Sequence, residues 1–322
     1  MQTLTAATTQ QFAYEGFTIT RLTDDSIADI TALHTTVYGK KPPRDFYYRK
    51  YNTGFAGKKY LGYIAYNVRN KPVAFYGVVP CFVATNGKLV GAAQCADTIE
   101  DASACLPGLF TKMGRLVEAL CKEEDITFLF ALPSQQYLQA MVGTLGWQQH
   151  GYVDSFAIPV NAIPFKGFIG TLGFINGLYK MLERKVIAQY GLPEQGVANS
   201  IVADGFGGIF RDSNYLNYKA FRRNLVVRAG QSKVWVALGH AIMVGDISLQ
   251  GDIEEVVQVL KKLAQRLGVS NIKFLTSPGT SLHNRLSAKY APSQALPVVF
   301  QTMGNCVDTA NIKFVLADLD IF

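Results

Sequence analysis

The chain has 322 residues, 49% of them apolar and 17% charged, with a formal net charge of +7. This composition excludes a disordered or fibrous chain, and the length exceeds what one hydrophobic core usually serves, so two domains are expected. The basic balance points to an anionic partner, but the cations come as doublets such as Lys40-Lys41, Lys58-Lys59 and Arg222-Arg223, and no zinc-finger, RRM or KH pattern is present, so nucleic acid is not expected.

Met1 to Gln11 is rich in Thr and Gln and lacks the basic and apolar regions of a signal peptide. No uninterrupted apolar run reaches membrane-spanning length. The expected location is the cytoplasm, and the five cysteines, Cys81, Cys95, Cys105, Cys121 and Cys306, read as reduced thiols without a C-x-x-C pair. The four histidines, His34, His150, His240 and His283, are scattered, and no metal site is expected.

In chain order, Phe17 to Leu22 alternates like a strand, and Ile27, Ile30 and Leu33 follow at helical spacing. Pro42-Pro43 breaks the chain before a short aromatic and basic helix, Arg44 to Tyr51. Tyr60 to Asn67, Val73 to Val83 and Leu89 to about Thr98 read as three antiparallel strands, the last two joined by Asn86-Gly87, a strong hairpin signal. Leu109, Phe110, Met113, Leu116, Val117 and Leu120 fall on one face of a helix. Ile126 to Leu132 is a buried strand. Pro133-Ser134 opens a short helix ending at Leu145-Gly146-Trp147, and Tyr152 to Val160 is the next strand.

Residues 161–208 form the expected linker. Within it Phe165 to Leu182 is apolar but carries Lys166, Asn176, Lys180 and four glycines. It reads as a helix lying on the first domain, with an interfacial membrane helix as the alternative. Gly205-Phe206-Gly207-Gly208 reads as a turn. The second half then repeats the order of the first: a helix from Asn214 to Arg223, strands at Leu225 to Ala229, Val234 to Leu238 and Ala241 to Leu249, and a helix from Ile253 to Leu267 capped by Asp252. A buried strand from Ile272 to Leu275, a helix from Ser281 to Tyr290, and closing strands at Val298 to Thr302 and Phe314 to Leu319 complete it. The expected division is 1–160, a linker at 161–208 and 209–322, in an α+β fold with mixed, mostly antiparallel sheets flanked by helices.

Gln94 to Thr98, the loop Ser103-Ala104-Cys105-Leu106-Pro107-Gly108 and the helix from Leu109, followed by Pro133-Ser134-Gln135-Gln136 and Leu145-Gly146-Trp147, resemble the GNAT acetyltransferase superfamily. The second half, through Tyr215-Leu216-Asn217-Tyr218 and Asp318-Leu319-Asp320, resembles the C-terminal GNAT-like domain of tandem proteins. The resemblance implies an acyl-coenzyme A cosubstrate, such as acetyl-CoA, and transfer to an amine: a small molecule, amino sugar or peptide. It places the pyrophosphate on backbone N–H groups at the helix N-terminus. The implied cofactor residues are Ala96, Thr98, Cys105, Leu106, Gly108, Leu109 and Ser134, and the implied catalytic carboxylates are Asp97 and Glu100. Of the family's loop glycines only Gly108 is kept, and Pro107 removes an N–H donor, so at most one coenzyme A site is expected, in the first half. The family's tyrosine acid matches Val142; Tyr137 lies a turn or more earlier. The alternative is a catalytically inactive GNAT-like protein with a ligand cleft between its halves. A third is a transferase working at a membrane surface through Phe165 to Leu182. Phe46-Tyr47-Tyr48 reads as core or as the lining of an acceptor cleft.

Overall fold

The computed structural model describes residues 10–104, 107–162, 181, 184–220, 224–304 and 307–322. The chain divides into two compact units. The first comprises Met1–Phe82, Val90–Gln149 and Val299–Val307, and the second Val83–Leu89, His150–Val298 and Asp308–Phe322. The helix expected from Phe165 to Leu182 lies, apart from Met181, outside the described residues, as do Cys105, Leu106, Arg222, Arg223 and Cys306.

In the first unit β1 (Gln11–Tyr14), β2 (Phe17–Arg21), β3 (Gly62–Tyr66) and β4 (Pro72–Thr85) pair antiparallel in order, and β4 neighbours β5 (Lys88–Glu100). Asn86 (φ 49°) and Gly87 (φ 70°) both adopt the positive φ that a two-residue hairpin turn requires. β1 is not among the expected strands. Its signal is the Glu15-Gly16 pair, also at positive φ, which joins it to β2 as a second tight hairpin. Helices α1 (Ile27–Tyr38) and α2 (Phe46–Tyr51) follow β2. Helix α3 (Leu109–Glu123) connects β5 to β6 (Phe128–Ala131), and these two strands are parallel, as one expects when a helical crossover separates them. Leu109, Met113, Val117 and Leu120 of α3 are buried with Ala93, Leu129 and Trp147, so the apolar stripe read from the sequence is the face that covers the sheet. Helix α4 (Gln135–Ala140) continues through a wide turn to Leu145, where Gly146 takes φ 79°.

The second unit repeats this plan. β7 (Gln148–Pro159) precedes β8 (Gly191–Leu192), α5 (Ser200–Ala203), β9 (Gly208–Ile209) and α6 (Ser213–Lys219). β8 pairs antiparallel with β10 (Asn224–Ala229), which pairs with β11 (Ser232–Leu238), which pairs with β12 (Ile242–Ser248). Helix α7 (Ile253–Leu267) separates β12 from β13 (Asn271–Thr276), and this pair is again parallel. Asp252 caps α7 by accepting from the Glu254 N–H, and Gly268 ends it at φ 62°. Helix α8 (Ser281–Ser287) and β14 (Ser293–Thr302) follow. The turn expected at Gly205 to Gly208 leads into β9, whose Gly208–Ile209 pair with Val83–Ala84 of β4.

Each unit takes its closing strand from the far part of the sequence. In the first, Val299–Thr302 of β14 lie antiparallel to Phe128–Ala131 of β6. In the second, Asp154–Pro159 of β7 lie antiparallel to β13.

One expected strand is absent. Phe314 to Leu319 holds a short 3-10 turn at Leu316–Asp318. The segment is a continuous apolar run broken only by Asp318, and of it Val315 alone makes a bridge, to Thr276 of β13. The Asp318 carboxylate accepts from the Val315 N–H at 2.9 Å and from Arg211 Nη2 at 2.7 Å, which turns the chain there. Beyond it Phe322 is 2% exposed, its ring packed edge-on to Trp235 at 5.2 Å. Gly245 leaves room for that ring, since a Cβ there would drive into it. Gly245→Ala is therefore expected to cost about 1–3 kcal/mol through overpacking, read from the urea midpoint. An unchanged midpoint would show that the ring is not held there.

Candidate active site

The described ladder between β5 and β6 runs from Ala92↔Phe128 to Gln94↔Phe130. β5 itself runs on to Glu100. Cys95, Ala96, Asp97 and Thr98 are all half-buried, so this stretch offers backbone and side chains beside the end of the short β6. The two faces of the sheet here differ. Tyr76 of β4 meets Phe110 of α3 at 5.5 Å, whereas Phe75 meets Tyr51 of α2 at 5.3 Å. Cys95 meets the Tyr76 hydroxyl at 3.7 Å, on the α3 side, and Asp97, two residues on, meets α2. A regular strand aims such a pair the same way, so alternation is broken between them.

Tyr137 links this stretch to the first turn of α3. Its N-cap, Gly108, has φ 92°, a conformation open to glycine, and a Cβ there would lie 2.8 Å from the Tyr14 hydroxyl. Leu109, the first helical residue, is fully buried and anchors the turn. The N–H groups of this first turn have no partner within the helix and make a ready anion site. Tyr137 of α4 donates to the Thr98 carbonyl at 3.5 Å and sets its ring 5.6 Å from Phe110. Tyr137, a turn or more early by its spacing, thus reaches the end of β5, while Val142 is 38% exposed. Ser134 is the N-cap residue of α4.

The second part of the site centres on Asp97. Its Oδ2 accepts from the Tyr51 hydroxyl at 2.6 Å and pairs with Lys50 Nζ at 2.7 Å. Lys50 is 1% exposed and Tyr51 fully buried. Burying an ammonium is tolerable because this carboxylate pairs with it. Tyr47 stacks on Tyr51 at 6.3 Å, and its hydroxyl is 2.7 Å from Nδ1 of His34 on α1. The His34 ring lies 4.6 Å from that of Tyr38. Burial lowers the His34 pKa; Asp97 opposes that shift and Lys50 adds to it. Burial, with the Asp97 charge, raises the Tyr38 hydroxyl. Glu100, half-buried at the strand's end, has its carboxyl raised by burial. Residues of α1, of α2 and of the chain before each line a cleft of about 840 Å³, among them Asp24, Thr31, Lys41, Asp45, Tyr47 and Tyr48.

Ala96, Asp97, Thr98 and Glu100 lie at the end of β5, Gly108 and Leu109 open α3, and Ser134 heads the helix whose Tyr137 touches Thr98 and the Phe110 ring. Cys105 and Leu106 lie outside the described residues. Lys50, Tyr51 and His34 escape a reading of the sequence. A basic, aromatic helix is legible there, but no local signal marks Lys50 as its buried cation. Among the described residues no group of three or more His, Cys, Asp or Glu could hold a metal ion, and no helix is long and apolar enough to cross a membrane. Cys81, Cys95 and Cys121 are free thiols.

The architecture is that of the GNAT acyltransferases: a mixed sheet flanked by helices, with a parallel pair of strands joined through a helix. Solved structures share it across most of the chain. A GCN5-related N-acetyltransferase from Kribbella flavida superposes with a TM-score of 0.56 at 11% identity, covering 89% of this chain and 72% of its own. A candidate acetyltransferase from Pyrococcus horikoshii gives 0.57 at 13% identity, covering 95% and 97%. Saccharomyces cerevisiae N-myristoyltransferase with bound myristoyl-CoA gives 0.51 at 12% identity, covering 89% and 82%. No family model matches the sequence, and no curated protein matches it.

Proposed function

We propose that this chain is an acyl-CoA-dependent N-acyltransferase that moves an acetyl or longer acyl group to an amine, with coenzyme A seated in the first unit. The observation that carries this reading is the end of β5, which runs past its ladder with β6 and is tied through Tyr137 to Phe110 in the first turn of α3. Extended backbone at Ala96 and Thr98 suits an extended chain with amide groups. The first turn of α3, from Gly108 and Leu109, suits a pyrophosphate, with Cys105 and Leu106 before it in sequence and Ser134, at the head of α4, as a further cofactor-binding residue. Pro107 has no N–H, so the donors come from the residues after it. A structural neighbour that holds myristoyl-CoA supports a coenzyme A thioester as the ligand class.

Asp97 and Glu100 put negative charge where an ammonium acceptor would arrive, and catalysis is then chiefly the orientation of amine against thioester. This chemistry needs no metal. The acceptor is a small amine, amino sugar or peptide. The halves 1–160 and 209–322, joined by 161–208, are read as tandem GNAT-like domains; the parallel strand pair repeated in each half supports a repeated plan. Free thiols support a reducing compartment, the cytoplasm.

Incubation with acetyl-CoA and a mixture of primary amines, followed by mass spectrometry, tests this reading. Acetylated amine together with free coenzyme A thiol is expected. Binding of acetyl-CoA without any transfer would favour the inactive, ligand-binding alternative, to which Pro107 lends weight.

A further inference from the structure

An ammonium must lose a proton before its nitrogen can attack a thioester. Three groups could take it: Asp97 and Glu100 at the end of β5, and His34, which is joined to Asp97 through Tyr47 and Tyr51. We propose that His34 is the catalytic base of this site, its Nε2 accepting the proton of the acceptor ammonium; the proposal rests on the acyl-transfer reading above.

The geometry separates the three candidates. Asp97 already serves Lys50 and Tyr51 through Oδ2. A proton placed on it would neutralise the partner of an ammonium that is 1% exposed, which is costly. Glu100 is half-buried, and no side chain among the described residues forms a hydrogen bond that would orient its carboxylate. His34 is also half-buried, but it is held. Its Nδ1 is 2.7 Å from the Tyr47 hydroxyl, and Tyr47 itself is 2% exposed and stacked on Tyr51. When Nδ1–H donates to the Tyr47 oxygen, Nε2 carries the lone pair and is the acceptor.

Tyr38 on its own helix and Tyr47 on α2 meet the ring, and the charges of Lys50 on α2 and Asp97 on β5 act on it through space. Burial, with Lys50, lowers the pKa of the imidazole from its ordinary 6.5 and so favours the neutral ring. The Asp97 charge favours the imidazolium once formed, acting through space and against Lys50. The step balances. An N–H bond of the ammonium breaks and its proton passes to Nε2. The freed nitrogen pair bonds to the acyl carbon, and the C–S bond breaks. The second proton leaves the nitrogen for the departing thiolate. Amide and coenzyme A thiol are formed, and the imidazolium returns its proton to water.

His34→Gln keeps a hydrogen-bonding side chain near Tyr47 and is the test variant. Calorimetry with acetyl-CoA should give the same affinity as for the unaltered protein. Acetylation of a probe set of tyramine, spermidine and a short peptide should fall about 100-fold or more. For the unaltered protein kcat/KM should rise with pH through one ionisation below 6.5, and the variant should lack it. Nitrogen NMR of the His34 ring at neutral pH should show Nδ1 protonated and Nε2 bare, a readout that needs no acceptor. A variant with the unaltered rate and pH profile would overturn the proposal, as would a ring protonated at Nε2. Failure of the unaltered protein to bind acetyl-CoA would sink the transfer reading itself. Intact binding with an unaffected variant would sink only the role of His34.

Discussion

Arg211→Leu is expected to destabilise the second unit by about 3–5 kcal/mol, the largest effect of any single substitution considered. Arg211 reaches Asp246 through Nη1 and Asp318 through Nη2, each at 2.7 Å, and all three side chains are fully buried. Burial works against the guanidinium charge, but Asp318 and Asp246 more than offset it and hold its pKa above the ordinary value. The carboxylates are served further by Ser200 on Asp246 and by Asn199 and the Val315 N–H on Asp318. Removing the cation leaves two buried carboxylates whose remaining donors are neutral, and that deficit sets the size of the loss. The guanidinium lies 5.6 Å from the Trp235 ring. The chain has two tryptophans, so in a Trp147→Phe background the fluorescence of Trp235 follows this unit alone. Urea unfolding in that background should show the lower midpoint. A loss under about 1 kcal/mol would mean that the network contributes little, and replacing all three charges with apolar residues should recover much of the loss.

Asp97→Asn is expected to cost about 3 kcal/mol in the first unit and to abolish acyl transfer. The cost arises on the other side of the pair, because Lys50 is 1% exposed and loses its counter-charge. Asp97 itself is 18% exposed, which keeps the value at the low end of the range for buried pairs. The double variant Lys50→Met with Asp97→Leu separates the two consequences. Its melting temperature should return close to that of the unaltered protein, since an apolar pair of similar volume avoids the desolvation cost, while transfer stays lost. Recovery of transfer along with stability would show that Asp97 acts only as a structural partner of Lys50.

Local physics made much of this fold legible. The stripe of α7 and its Asp252 cap, the Asn86-Gly87 turn and the apolar face of α3 are all signals carried within a few residues, and all lie where the spacing put them. The features that escaped are not local. Whether β6 ends the sheet or pairs with Val299–Thr302 depends on residues about 170 positions away, and a short apolar run reads the same in either case. The Lys50–Asp97 pair spans two elements that sequence treats separately, and among several exposed cations on neighbouring positions nothing marks Lys50 as buried. Phe314 to Leu319 misleads because a short continuous apolar run reads as a buried strand, and nothing local shows that Asp318 turns the chain by accepting from the Val315 N–H and from Arg211.

The central claim, a coenzyme A seat between the end of β5 and the first turn of α3, is tested most directly by calorimetry with acetyl-CoA on the unaltered protein and on Gly108→Trp. Gly108 takes φ 92° beside the Tyr14 hydroxyl, so an indole there would fill the turn where the pyrophosphate is placed. Micromolar binding that disappears in the variant, with far-ultraviolet circular dichroism unchanged, is the predicted result. No binding to the unaltered protein at millimolar ligand, or equal binding to both proteins, would contradict it.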